Sequence, residues 1–118
     1  MDVTAIYRKI LLQEEIKIPS EILDEFSRDE NSKVRCRVAR NSNTSPETLD
    51  YLSRDEYYGV RGCVTLNHNT KTETLDVLSR DKSPYVRCLV AENPNCPERA
   101  YKYIKGLEIL KSLSKVST

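Results

Sequence analysis

Three aspartates and three arginines recur in step along this 118-residue chain: Asp29, Asp55 and Asp81 stand 26 residues apart, and Arg35, Arg61 and Arg87 follow them at the same interval. Opposite charges at a fixed spacing could do two kinds of chemistry. They could form a ladder that grips a charged ligand. They could instead hold the fold, each Asp capping a short helix or pairing with an Arg of its own or the next unit. A group needed once for a ligand has no reason to be copied into every unit, whereas a stacking device must be. The repetition favours the structural ladder, and leaves open which Arg meets which Asp.

The remaining reactive residues assemble no site. Useful metal-ligand pairs need spacings such as C-x₂-C, but Cys88 and Cys96 are eight apart and Cys36 and Cys63 lie farther off. Cys36, Gly62 and Cys88 share one repeat position, which asks for a small residue where helices approach closely, and a free Cys often serves as a small apolar group. His68 is the only histidine, set between Asn67 and Asn69 with no recurring nucleophile beside it, so no nucleophile–base pair forms; it reads as a solvent-facing turn residue. Gly59 and Gly62 follow no strand and make no phosphate loop. No catalytic residue, metal or cofactor is expected.

The elements that position these columns are themselves periodic. Phe26-Ser27-Arg28-Asp29, Leu52-Ser53-Arg54-Asp55 and Leu78-Ser79-Arg80-Asp81 are one phrase written three times. Val34, Val60 and Val86 follow in phase, then Val38, Val64 and Val90, and pairs of asparagines end each unit. A period of this length signals stacked helical units. Each unit reads as one helix carrying Leu23 and Phe26, Leu49 and Leu52, or Leu75 and Leu78, then a shorter one over about 32–40, 58–66 or 84–92. Capping boxes are expected at Thr44-Ser45-Pro46-Glu47 and Thr70-Lys71-Thr72-Glu73, with Asn95 as the cap before Pro97. The asparagines read as tight turns. Arg28, Arg54 and Arg80 form a third, exposed column, neutralised by the neighbouring Asp. Residues 2–15 place Val3, Ile6, Tyr7, Ile10 and Leu11 on one stripe and predict an N-terminal capping helix. From Pro97 the pattern changes: Ile104, Leu107 and Leu110 continue a stripe that predicts a C-terminal cap, weakened at Gly106 and frayed from Ser114.

Composition narrows the partners. Lys plus Arg number 19 and Asp plus Glu 18, a net charge of +1, which removes the usual electrostatic reason to expect a strong nucleic-acid or membrane binder. No apolar run approaches the ~20 residues that cross a bilayer, and the start shows no secretory signal. The expected location is the cytoplasm, with the cysteines reduced.

The unit Pro-Glu-Thr-Leu-x-x-Leu-Ser-Arg-Asp, a short gap, then Val-Arg-x-x-Val-Ala-x-Asn-x-Asn, resembles the leucine-rich repeat variant family. Residues 45–70 match nearly throughout, and the resemblance covers about 19–100. It implies an all-α protein, a right-handed superhelix of alternating α-helices and short α- or 3₁₀-like helices akin to HEAT and armadillo arrays. On that reading 1–118 is one domain, with repeats 19–44, 45–70 and 71–96 between caps 1–18 and 97–118. Some members of the family carry an iron–sulfur cluster in an N-terminal cysteine-rich segment. Here the first cysteine, Cys36, already lies inside a repeat, so that cofactor does not carry over. The resemblance implies a habit of binding partners and no reaction.

Positions where the units disagree point to the binding face. On the second helix of each unit, one face holds Lys33, Arg37 and Arg40, then Gly59, Cys63 and Leu66, then Tyr85, Leu89 and Glu92. Stacking would keep core positions constant, so this stripe is expected outward, with Tyr57 and Tyr58 beside it. Tyr, Leu and Arg have interface composition; the alternatives are cover by the chain's own terminal helices or no role. The leading expectation is a non-enzymatic module that binds another protein or itself. The runner-up is a nucleic-acid backbone held by Lys33, Arg37 and Arg40 with Arg28 and Arg54.

Overall fold

Apolar residues at helical spacing, broken by Pro, Ser and Asn, become helices in succession. The computed structural model describes residues 3–13 and 17–116, and these are all-helical: α1 (Val3–Gln13), α2 (Ser20–Phe26), α3 (Ser32–Arg40), α4 (Pro46–Leu52), α5 (Tyr58–Thr65), α6 (Thr72–Leu78), α7 (Pro84–Glu92) and α8 (Glu98–Val116), with no strand among the described residues. Helix α3 packs on α5 and α5 on α7, α1 lies against α3 at one end, and α8 against α7 at the other. The short helices α2, α4 and α6 each rest on the next helix in the chain. The molecule measures 62 × 26 × 20 Å.

None of the short helices would persist alone in water; burial holds them. Val34, Val38, Val60, Val64, Val86 and Val90 are all 0% exposed, as are Leu23, Leu49 and Leu75. Each such side chain contributes about 1.5–3 kcal/mol through burial, so the repeated valines and leucines, not helix propensity, fix the elements. Pro46 and Pro84 sit in the first turns of α4 and α7, where a missing N–H costs no bond.

Helix ends differ from expectation. No Thr44 or Thr70 capping box forms: their hydroxyls donate backwards to the carbonyls of Val38 and Val64 near the end of the preceding helix. Ser45 caps α4 instead, accepting from the Thr48 N–H at 3.2 Å, and α6 starts after Lys71 with no side-chain cap. Asn95 lies two residues ahead of the Pro97 that precedes α8, and its amide nitrogen donates to the His68 carbonyl at 3.1 Å. The asparagine turns contain no left-handed residue and no 3₁₀ segment.

Both terminal helices cover less than their stripes imply. In α1, Leu11 is buried and Tyr7 and Ile10 are partly so, but Val3 and Ile6 are exposed; the remainder of the helix expected over 2–15 lies outside the described residues. In α8, Ala100 and Ile104 are buried, whereas Ile109, Leu110 and Leu113 are exposed. The helix runs unbroken past Gly106 and through Ser114 to Val116, so its second half projects beyond the surface it was expected to seal. Residues 117–118 lie outside the described residues.

Candidate interaction surface

The Asp and Arg columns join consecutive units in one direction. Arg35 donates from Nε to Asp55 Oδ2 at 2.8 Å and from Nη2 to Oδ1 at 3.2 Å; Arg61 grips Asp81 likewise at 2.8 and 3.1 Å. The third terminal nitrogen turns back to its own unit, Arg35 Nη1 to the Asp29 carbonyl at 2.8 Å and Arg61 Nη1 to the Asp55 carbonyl at 2.7 Å. Each carboxylate also accepts the N–H two residues on, at Asn31, Tyr57 and Ser83. The planar fork of Arg matches a carboxylate bidentately, and both partners of the Arg61–Asp81 pair are under a tenth exposed. At the N-terminal end, where no earlier unit exists, Arg8 of α1 supplies the fork to Asp29 at 2.9 Å. Its hydrogen bond holds the Asp29 carboxyl below its usual value, and the bond to Asp55 raises Arg35. The ladder's carboxylates are thus committed within the chain.

Three further columns run beside this one, and the sequence reading missed what they do. The Asn67 amide donates across units to the carbonyls of Ala39 and Asn41 at 2.8 and 2.9 Å, and Asn93 repeats the bond to Thr65 at 2.6 Å. Thr48 and Thr74 donate to Asp24 and Asp50 at 2.9 and 3.1 Å. Arg28 lies 4.4 Å over the Tyr51 ring and Arg80 4.4 Å over Tyr103. This corrects the view that the Arg28 column is neutralised by the neighbouring Asp: those carboxylates belong to Arg8, Arg35 and Arg61. Val77 stands where Tyr51 and Tyr103 stand, offers no ring, and Arg54 pairs with Asp50 of its own helix instead. An open groove of about 630 Å³ crosses this edge, lined by Arg28, Asp29, Arg35, Tyr51, Arg54 and Asp55. Asp29, Arg35, Arg54 and Asp55 in it are engaged in ion pairs.

The variable stripe is different. Lys33, Arg37 and Arg40 on α3 are exposed, and none has an ion-pair partner among the described residues. Tyr57, Tyr58, Leu66 and Tyr85 are 41–53% exposed. The structure gathers three of the tyrosines: the Tyr57 and Tyr58 ring centroids are 5.1 Å apart and those of Tyr58 and Tyr85 5.7 Å, both edge-to-face. Such pairs fix ring orientation while leaving faces available. Leu89 is only half exposed, contrary to its assignment to a free surface. It packs with Tyr85 over Gly62, where an added Cβ would come within 2.8 Å of the Tyr85 ring and 3.2 Å of Leu89.

The shared position of Cys36, Gly62 and Cys88 faces forward along the row. Cys36 is half-buried, Gly62 is buried and Cys88 is exposed, because α5 and α7 follow on the first two and Cys88 has no such helix beyond it among the described residues. Burial first, then Cys63, pushes the Cys36 thiol up to about 12, so it stays protonated at neutral pH. No group of His, Cys, Asp and Glu among the described residues could hold a metal ion. His68 is exposed in its turn. No helix among the described residues is long and apolar enough to cross a membrane. No family model matches the chain, and no curated protein or solved structure matches it.

Proposed function

We propose that this chain is a helical-repeat interaction module of the leucine-rich repeat variant type. Its three units form a right-handed superhelix between terminal caps, and its variable stripe binds another protein or a second copy of itself. One observation carries the reading: the Asp29, Asp55 and Asp81 carboxylates repeated in every unit are taken up by guanidiniums from an earlier element, whereas Lys33, Arg37 and Arg40 have no ion-pair partner among the described residues. The exposed cluster of Tyr57, Tyr58 and Tyr85 lies in the following units on the same variable face. Large, stiff aromatic side chains beside Arg supply contact area at low entropic cost. The reading assigns the chain no reaction, metal or cofactor.

Affinity capture from native extract tests it, with wild type compared against Tyr58→Ala and Arg37→Glu. A partner, or a second copy in sedimentation, should be retained by wild type and lost by both variants while their circular dichroism stays unchanged. Retention that ignores both substitutions overturns the stripe. The unpaired cations on α3 support a second reading, a nucleic-acid backbone held by Lys33, Arg37 and Arg40. Retention on duplex DNA falling steeply with salt and lost in Arg37→Glu would favour it.

A further inference from the structure

The two ends of the helix row are finished differently. At the first end Asp29 receives a guanidinium from α1. At the last, Arg87 donates Nη1 to its own unit's Asp81 carbonyl at 2.6 Å, as Arg35 and Arg61 do. But the two nitrogens that grip the next carboxylate at Arg35 and Arg61 have no hydrogen-bond partner at Arg87 among the described residues. No buried side-chain nitrogen among those residues is left unsatisfied, so they reach solvent. The surroundings open in parallel. Arg61, Gly62 and Thr65 of α5 are buried, while the equivalent Arg87 and Ala91 of α7 are half-buried and Cys88 is exposed. In the earlier unit this face is covered by α7, whose Tyr85 and Leu89 lie on Gly62. Helix α8 continues straight to Val116 and supplies no such helix.

We infer that this end of α7 docks a short helix of a partner protein that carries an aspartate or glutamate just before its first turn. The existing rungs set that chemistry. In each, the carboxylate accepts the Arg fork and also the N–H two residues on, at the threshold of the following helix, so acid and helix arrive together. An exposed guanidinium already oriented by its own unit's carbonyl calls for an anion. Cys88 matches Cys36, which has Cys63 of the following helix beside it, so the docked helix presents small residues there; a Tyr and Leu pair like the one over Gly62 would not fit above the Cys88 side chain. Lys33, Arg37, Arg40, Tyr57 and Tyr58 take no part, so the proposal stands apart from the stripe.

The test is a titration of the ¹⁵N-labelled full chain with a helix-stapled peptide copying residues 81–92 with Tyr85→Gly, Cys88→Ser and Leu89→Ala, so that small residues meet Cys88. Amide shifts should centre on Arg87, Cys88 and Ala91 and saturate at roughly 1 mM or below, as one short charge-assisted contact predicts. A peptide carrying Asp81→Asn should bind about tenfold more weakly, and the surface substitution Cys88→Arg in the protein should abolish the shifts while leaving amides remote from α7 in place. Tyr58→Ala in the protein should change nothing. Absence of shifts, shifts centred elsewhere, or indifference to Asp81→Asn overturns the proposal.

Discussion

The ladder edge and the variable stripe are built on the same helices, yet they treat charge in opposite ways. On the edge, Arg61 is buried with all three of its terminal nitrogens bonded. On the stripe, Arg37, two residues after Arg35 on the same helix, is exposed and has no ion-pair partner among the described residues. A guanidinium taken out of water must have its bonds satisfied, so the sequence around it is forced to repeat; one left in water places no demand on the next unit. Periodicity therefore marks what the fold uses internally. Departure from it marks what is left for something else.

Breaking the edge should give the largest effect. Arg61→Ala leaves Asp81 buried without its fork and the Asp55 carbonyl without a donor, a loss of about 3–5 kcal/mol expected for a broken buried pair. Urea unfolding of Arg61→Ala, Asp81→Ala and the double variant checks it. The double should cost clearly less than the sum, since both singles remove one interaction. Additive losses would mean that the two side chains act separately.

Asn67→Ala should follow. Its amide bonds two carbonyls of the preceding unit and Asn67 is buried; truncation strips the Ala39 carbonyl of this donor, while the Asn41 carbonyl keeps the Thr44 N–H, at a cost of about 1–3 kcal/mol. Asn43→Ala should cost less, because Asn43 makes a single such bond, to the Ile18 carbonyl at 2.7 Å, and is not fully buried. Equal losses at the two positions would refute a graded asparagine ladder.

How much of this was readable beforehand depends on where each partner sits in the chain. Val34, Val60 and Val86, and the start of each short helix, follow from spacing alone, because helical periodicity is local. The direction of the ladder does not: Arg35 lies near Asp29 in sequence and farther from Asp55, and it uses both, one through a carbonyl and one through a carboxylate. The asparagines were recognisable as turns through their own bonds, such as Asn69 N–H to Asn67 Oδ1. Their second bonds cross between units and have no local signal, although recurrence of Asn at every orphaned helix end was the available clue. The exposure of Leu110 was also hidden. Its stripe says that it could be buried, and only the straight run of α8 past Gly106 shows that nothing comes to cover it.

The first rung sharpens the comparison through pH. Arg8 holds the Asp29 carboxyl below its usual value, so the native state binds this proton more weakly than the unfolded chain does. The contribution is fully present above the unfolded value of about 3.9 and is lost as pH falls through the lower native one. Arg8→Gln should flatten the stability profile in that acidic window and leave it parallel to wild type above it. The Arg8 side chain is 40% exposed, so solvent screening keeps the effect small beside the loss at Arg61. A larger loss would mean that α1 is held to the row chiefly by this pair rather than by Leu11.

The stripe should give the smallest effect on stability. Arg37 has no ion-pair partner among the described residues, and Tyr58 is 49% exposed, so Arg37→Glu and Tyr58→Ala should each change unfolding free energy by no more than about 0.5 kcal/mol. Tyr58 does lose its edge contacts with Tyr57 and Tyr85, but at an exposed site these rings are re-wetted rather than orphaned. Thermal melts superimposable on wild type, in variants that no longer capture a partner, would separate what the helices need from what they offer. A loss of several kcal/mol from either substitution would place the stripe with the ladder, as one more surface that the fold keeps for itself.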